Sequence, residues 1–443
     1  MIKLFQKKIV TRFAPSPTGF LHVGGLRTAL YNYLFAKQYG GKFLLRIEDT
    51  DRVRLVEGAE EGIIKTLHVF GLNFDEKQMR QSERIEIYKK YAQRLLEQGS
   101  AYEDNVAIRF KMPQEGIAQF TDIVRNVIAI ENKGQEDFVI LKSDGYPTYN
   151  LAHIVDDHET NVTHVIRGEE FISSMPKYIA LHKALGLELP QYAHLPLLLN
   201  TKRVKLSKRE GEVAVYDFLD KGYLPEAVLN FVALLGWHPK DEQEIFSLEE
   251  LIKKFRIEDV QKSGAIFDTI KLDWMNKEYI KRMSLETLFE RVKKYGADTD
   301  QSDFKISGGA LTEEKVFKIL AVEQSRLTVF SELPQIFFMF GTMPEYDVSL
   351  LHWKDMSNEE IKNSLELSVN LLKAVSENNF TKENLEKIFL EKAKSFKDRG
   401  ELLWPMRAAL SGKKASPGPF EILEILGKKE SLKRLENAIK KTC

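Results

Sequence analysis

The run APSPTGFLHVGG, Ala14 to Gly25, lies between an apolar stretch ending in KKIVTRF and a helical stretch beginning LRTALYNYLF. Pro15 and Pro17 stiffen its first half, because their rings fix φ. Its second half is stripped to Gly24 and Gly25 beside His22. A chain that passes from strand through a glycine turn into a helix aims backbone N–H groups and the positive helix end at one point, which makes an anion site. Glycines let a nucleotide lie against the backbone, and His22 offers a donor to phosphate oxygens. Neither the G-x-x-x-x-G-K-[ST] nor the G-x-G-x-x-G spacing is present. The competing structural explanation is a glycine turn with a core histidine.

The flanks fit a βαβ unit. KKIVTRFAP reads as a short buried strand stopped by Pro15. LRTALYNYLFAKQYGG reads as an amphipathic helix with Leu26, Leu30, Tyr33 and Leu34 on one face and Gly40-Gly41 as its stop. KFLLRIEDTD is a second strand, and GAEEGIIKTLHVFGL and IEIYKKYAQRLLEQG are helices, the latter closing at Gly99. From Ser100 towards Asn150, the β-like pieces AIRF and DFVILKS lie among irregular loops, as in an insertion. THVIRGEE returns to a strand running into a helix, HLPLLL is another strand, and helical patterns dominate after Lys208. No internal repeat or low-complexity tract is visible.

Cysteine use and charge exclude some classes. The one cysteine, Cys443, allows no intrachain disulfide and no cysteine cluster for zinc, so a reducing, cytoplasmic setting is expected. No apolar run approaches the ~20 residues that span a bilayer, and MIKLFQKKIVTRF lacks a secretory apolar core. Lys plus Arg and Asp plus Glu balance at 65 each, so net charge says nothing of nucleic acid. Thr381–Cys443 carries 15 Lys and Arg against nine Asp and Glu, an excess that suits phosphates or a solvated basic tail equally.

A second element, VKLSKRE (Val204–Glu210), follows LPLLLN. Alone, a K-x-S-K string is a surface run. Together with P-S-P-T-G-x-x-H-V-G-G upstream, it resembles the paired signatures of class I aminoacyl-tRNA synthetases. Gly25 stands where the first signature usually has a second histidine, as in the glutamyl branch. The opening block TRFAPSPTGFLHVGGLRTALYNYLFAKQYGGKFLLRIEDTDR is similar to the amino terminus of that branch. YPTYNLAHIVDDHETNVTHVIRGEE resembles its amino-acid pocket, GYLPEAVLNFVALLGW and FDTIKLDWMNKEYI its post-signature helices, and LLWPMRAALSGKKASPGPFEILEILG its anticodon region. The resemblance implies an α/β nucleotide-binding, Rossmann-like catalytic domain with an inserted α+β domain, followed by all-α carboxyl-terminal domains. The expected boundaries are 1–85 and 149–210 for the catalytic halves, 86–148 for an acceptor-end-binding insertion, 211–285 for a stem-contact helical domain and 286–443 for a helical anticodon-binding region.

The resemblance also implies a reaction and its residues. Glutamate attacks the α-phosphorus of ATP, and the tRNA terminal adenosine then takes the glutamyl group. His22, Lys205, Ser207 and Lys208 are the expected catalytic residues. Pro15, His22, Gly24, Gly25, Glu170, Leu198 and Lys208 would border ATP, with Phe171 against the base, although Leu198 reads equally as plain core. Arg12, Ala14, Ser16, Glu48, Tyr149, His153 and Arg167 would hold glutamate. Guanidinium forks suit carboxylates, and Glu48 suits the ammonium. His153 occupies a position where relatives often have Asn. Mg²⁺ would arrive on the ATP phosphates, and no structural zinc is expected, because GSAYEDNVAIRF lacks cysteine. The implied partners are L-glutamate and the glutamate tRNA, with the glutamine tRNA as a second substrate in some relatives, and the chain is expected to be a monomer away from membranes. Two alternatives are a non-catalytic tRNA-binding relative and the paralogue that attaches glutamate to queuosine in tRNA. If Lys208 neutralises the departing pyrophosphate, Lys208→Ala should slow activation by about 10²–10³-fold, the scale of losing one transition-state donor, in pre-steady-state ATP–pyrophosphate exchange.

Overall fold

In the computed structural model, which describes residues 8–206, 214–298 and 311–442, the glycine turn has the expected flanks. Strand β1 (Val10–Phe13) is buried throughout, α1 runs Val23–Gln38, and β2 (Lys42–Ile47) pairs with β1 in parallel, Arg12 opposite Leu44. α1 is buried on more than the one face its periodicity suggested. Leu26, Leu30 and Leu34 are buried, but so are Arg27, Tyr31 and Asn32, while Tyr33 is half-buried. The helix is covered on several sides by β1, β2, α7 (Pro225–Ala233) and α8 (Leu248–Lys254). Its buried polar groups find backbone partners. The Tyr31 hydroxyl donates to the Ala233 and Leu235 carbonyls, and Asn32 Nδ2 donates to Ile166 O at 3.0 Å. Such pairing is what makes buried polar groups tolerable.

After α2 (Ala59–Val69), β3 (Met79–Arg80) extends the sheet beside β2, and α3 (Ile85–Glu97) ends ahead of Gly99, φ +74°. The inserted stretch holds more order than its sequence suggested. β4 (Ala101–Asp104), β5 (Ala107–Phe110) and β8 (Phe138–Leu141) form an antiparallel sheet. Between them β6 (Ile117–Asp122) and β7 (Asn126–Glu131) form a hairpin whose alternating burial in β6 marks one packed face. The apolar side chains of this stretch, among them Phe110, Phe120, Phe138 and Ile140, share one core cluster with α3, α4 (Tyr149–Glu159) and α5 (Met175–Leu185).

β9 (His164–Gly168) and β10 (Gln191–Leu195) are parallel, with Arg167 opposite His194, and β6 joins the far side of β10 at Tyr192. Thr163 ties β9 to β1: its hydroxyl accepts from Val10 N and its N–H donates to Val10 O, both at 2.9 Å. The strand expected at HLPLLL lies earlier. Pro196 ends β10, and only Leu198–Leu199 forms a further short strand, β11, which pairs in parallel with β12 (Ala265–Ile266). Proline supplies no N–H to a ladder, which accounts for the break. α6 (Val215–Asp220) precedes α7, and α9 (Thr269–Arg282) follows β12.

The chain forms two compact units, Met1–Met275 and Asn276–Cys443. Among the described residues of the second, every regular element is helical: α10 (Leu285–Asp298), α11 (Glu313–Glu323), α12 (Leu333–Gly341), α13 (Asn358–Ala374), α14 (Lys382–Ala393), α15 (Gly400–Ser411) and α16 (Pro419–Lys441). Buried Arg434 on α16 donates to the Met339, Leu410 and Thr342 carbonyls, fastening the ends of α12 and α15. No helix among the described residues is long and apolar enough to cross a membrane.

The turn from α1 into β2 is tight. A Cβ at Gly41 would stand 2.2 Å from the Ile9 carbonyl oxygen, and that oxygen already accepts from Lys42 N. Gly41→Ala should therefore lower unfolding stability by about 1–3 kcal/mol, as other overpacking changes do. Urea denaturation would check this, and an unchanged midpoint would show that the turn can yield.

Candidate active site

The cavity opens where β1 runs into α1. His22 is the N-cap of α1 with extended backbone, φ −99° and ψ 165°, and its Nδ1 accepts the Gly25 N–H at 3.2 Å. A ring nitrogen that accepts there leaves the ring proton on Nε2 (a tautomer assigned from the hydrogen bond). The cap thus builds the helix end and sets the polarity of the imidazole together. A Cβ at Gly24 would lie 3.1 Å from the His22 ring, and one at Gly25 would lie 2.6 Å from Leu21 Cδ1. The two glycines therefore make room for neighbouring side chains as well as lining the cavity.

The cavity, about 280 Å³, gathers Arg12, Ala14, His22, Gly24, Gly25, Glu48, Tyr149, Arg167, Glu170, Leu198 and Lys205. Ser207 and Lys208 lie outside the described residues. Three expected residues do not line it. Pro15 accepts from Glu48 N at 2.9 Å and so fixes the loop to the end of β2. Ser16 is exposed. His153 is buried behind Tyr149 and stacked on it at 4.5 Å. Its Nδ1 sits 2.7 Å from the Tyr149 carbonyl, its Nε2 has no partner, and burial drives its pKa well below the usual histidine value, so it is a neutral support for the tyrosine. The histidine falls short of the cavity because position 153 is one helical turn beyond Tyr149, on the buried side of α4.

The cavity also takes in Arg27 and Phe171. Arg27 is buried and donates to the Leu235 carbonyl at 3.1 Å and to the Pro196 carbonyl. Its role was not legible, because a lone Arg inside a helical pattern looks solvated. With it, the described residues of the wall carry four cationic side chains (Arg12, Arg27, Arg167, Lys205) against two carboxylates, Glu48 and Glu170, which suits an anionic ligand.

The charged groups are held by a chain of alternating ions. Arg12 Nε lies 3.0 Å from Asp157 Oδ1, Arg46 Nη1 lies 2.5 Å from the same oxygen, and Arg46 Nη2 lies 2.9 Å from Glu48 Oε1. The inner members, Arg46 and Asp157, are buried, while the ends, Arg12 and Glu48, face the cavity. Burial works against Asp157 ionising, but Arg12 and Arg46 outweigh it and hold its pKa below the carboxylate range. Burial pushes Glu48 the other way, up, with Arg46 restraining the rise. Neighbouring Asp156 takes hydrogen bonds from Gln81, Arg84 and Tyr88 and pins α4 to α3.

Arg167 has different company. It is buried, and among the described residues no carboxylate is within ion-pair reach of it. Its Nη1 lies 3.4 Å from the Tyr149 hydroxyl and its Nη2 3.2 Å from Met175 Sδ, and its guanidinium carbon stands 4.8 Å from the Phe171 and Tyr178 ring centres. Among the described residues no group of three or more His, Cys, Asp and Glu could hold a metal ion.

The sequence family described as class I tRNA synthetases (E and Q), catalytic domain, matches residues 8–107 and 103–274, and an anticodon-binding domain family matches 257–439. A glutamate–tRNA ligase of Clostridium novyi is 41% identical over 485 residues, covering 98% of each chain. The chain belongs to the glutamate–tRNA ligase family. A second such ligase, from Clostridium kluyveri, is 41% identical with 98% of each chain covered. A crystal structure of a glutamate tRNA ligase from Elizabethkingia meningosepticum in complex with its amino acid superposes with a TM-score of 0.87 at 32% identity, covering 99% of this chain and 100% of that one. The Elizabethkingia anophelis glutamate–tRNA synthetase gives 0.86 at 32% identity, with 98% and 100% covered.

The shared Asp157 has a measurable consequence. Its folded pKa lies below its unfolded value of about 3.9, so the pair contributes stability above that pH, and the contribution is lost as pH falls through the window beneath it. Asp157→Asn should destabilise the protein by about 3–5 kcal/mol near neutrality, because it takes the charged partner from buried Arg12 and leaves buried Arg46 to Glu48 and the more distant Asp156. It should also flatten the acid side of the stability curve. Urea midpoints at neutral and acid pH decide the matter, and an acid slope equal to that of the unsubstituted chain would locate the effect in other carboxylates.

Proposed function

We propose that the protein joins L-glutamate to tRNA in two steps, glutamyl-adenylate formation from ATP and transfer to the terminal adenosine. One observation carries the reading: a buried arginine with no carboxylate partner among the described residues, Arg167, shares a cavity with the His22 helix cap and Lys205. Full-length similarity to glutamate–tRNA ligases supports it, and so does the match to an anticodon-binding family over residues 257–439. The queuosine-directed paralogue lacks such a region, and a silent tRNA binder has no use for an arginine kept ready for an anion.

Little covalent work falls to the protein in such a reaction; it positions the reactants and stabilises charge. Arg12 and Arg167 receive the two carboxylates of glutamate, Glu48 receives the ammonium, and Tyr149 bounds the pocket. The ion chain holds both Arg12 and Glu48 at the cavity wall, so opposite charges wait for a zwitterion. The His22 Nε2–H and the amides opening α1 face the ATP phosphates, which bring Mg²⁺ with them. Lys205, with Ser207 and Lys208 beyond it, balances the charge of pyrophosphate as it leaves. Glu170, Leu198 and Phe171 border the nucleoside. Glutamine is rejected because its amide leaves a buried arginine unpaired, a penalty of about 3–5 kcal/mol. The chain acts as a cytoplasmic monomer on the glutamate tRNA; charging glutamate and glutamine tRNAs side by side would show whether it also accepts the latter.

Arg167→Ala should raise the glutamate KM at least about tenfold while moving the ATP KM by less than about threefold, because only one substrate loses a charged partner. ATP–pyrophosphate exchange with tRNA present reads both constants. Equal rises would assign Arg167 to the nucleotide, and no glutamate-dependent exchange in the unsubstituted chain would end the proposal.

A further inference from the structure

Arg167 is aimed by hydrogen bonds that begin outside the cavity. Asp122 closes β6 in the inserted hairpin, and its carboxylate is fully engaged. Oδ1 accepts from Val124 N at 3.0 Å and Arg125 N at 2.9 Å, and Oδ2 accepts from His194 N at 3.0 Å and from His194 Nδ1 at 2.6 Å. Both side chains of the Asp122–His194 pair are completely buried. The imidazole must then carry its proton on Nδ1, because a carboxylate oxygen faces that atom. Nε2 is left as an acceptor, and Arg167 Nε stands 3.2 Å from it. A guanidinium only donates, so the opposite tautomer would set N–H against N–H. Burial lowers the histidine pKa although Asp122 opposes the fall, and Arg167 lowers it further. Arg125, at the same hairpin turn, pairs with Glu169 and reaches the His194 carbonyl at 3.4 Å, fastening the turn to the ends of β9 and β10.

We propose that Asp122 and His194 are positioning residues for glutamate recognition: they hold the Nε side of Arg167 so that its terminal nitrogens meet a carboxylate in one orientation. The inference rests on the reading of Arg167 as a glutamate contact. It gives the inserted segment a part in amino-acid selection, because the aspartate that fixes the tautomer belongs to the hairpin. Apart from Nε, Arg167 has a long contact to a tyrosine hydroxyl, a thioether and ring faces. None of these sets the direction of the fork as a 3.2 Å in-plane acceptor does. A packing role for His194 would need only its shape; a positioning role needs the lone pair on Nε2.

Two variants and one spectrum separate these roles. His194→Leu keeps apolar bulk and removes the acceptor, whereas His194→Gln returns an acceptor oxygen near the Nε2 position. In ATP–pyrophosphate exchange with tRNA present, His194→Leu should raise the glutamate KM about tenfold, the scale of one lost hydrogen bond to a charged group, with the ATP KM nearly unmoved. His194→Gln should recover most of that loss. Asp122→Asn, which cannot serve both backbone donors and His194, should resemble His194→Leu. A glutamine variant as impaired as the leucine one, or ATP and glutamate KM rising together, overturns the positioning role. The ¹⁵N spectrum of histidine-labelled unsubstituted protein needs no variant to fold: a neutral His194 protonated on Nδ1 is expected, and a proton on Nε2 overturns the inference. Exchange intact in the unsubstituted chain with an unmoved glutamate KM in His194→Leu rejects positioning alone. No exchange in the unsubstituted chain rejects the reading of Arg167 as well.

Discussion

The buried carboxylate of Asp157 is the point on which the catalytic unit turns. It comes from α4, yet it neutralises an arginine from β1 and another from β2 through a single oxygen. Removing two guanidinium groups from water is expensive, and one carboxylate offsets it because Glu48 closes the far end of the chain and Asp156 lies 3.9 Å from Arg46. The arrangement therefore fixes three things together: the pairing of β1 with β2, the seat of α4, and the charges that the cavity presents. The ions that join β1, β2 and α4 also supply charges of the cavity wall, so neither can be altered without the other.

A second constraint sits at the opening of α1. The His22 cap makes the helix start where it does, and the largely buried helix behind it is fixed by hydrogen bonds to backbone carbonyls of Ala233, Leu235 and Ile166. The cavity-facing end thus belongs to a helix packed against β1, β2, α7 and α8. A helix terminus held this firmly needs no reorganisation to meet phosphate charge, which is the property that electrostatic stabilisation requires.

Much of this was legible from short-range pattern. The glycine turn, the flanking strand and helix, and Arg12, Glu48, Tyr149 and Arg167 as one group all follow from local motif and family resemblance. What was missed depends on distance along the chain. Arg46 and Asp157 are 111 positions apart, and Asp122 and His194 are 72 apart. No local signal marks such pairs, although Arg46 and Glu48 share a strand face at a spacing of two. The strand at Gln191–Leu195 was displaced in the reading because the leucines after Pro196 look more strand-like than a run containing His194, whose polarity is hidden by Asp122. His153 was placed at the ligand by resemblance, because relatives often have Asn there, and the resemblance carried no sign that the larger ring stacks behind Tyr149.

Met175 adds a property that the ions lack. Its sulfur lies 3.2 Å from one terminal nitrogen of Arg167, whose Nε meets the imidazole. A thioether is soft, polarizable and unbranched, so the guanidinium rests on a compliant bed at one end and a stiff pivot at the other. A guanidinium mounted in that way takes its direction from Nε, while the sulfur, a weak acceptor, leaves the terminal nitrogen's hydrogen-bonding capacity largely unspent.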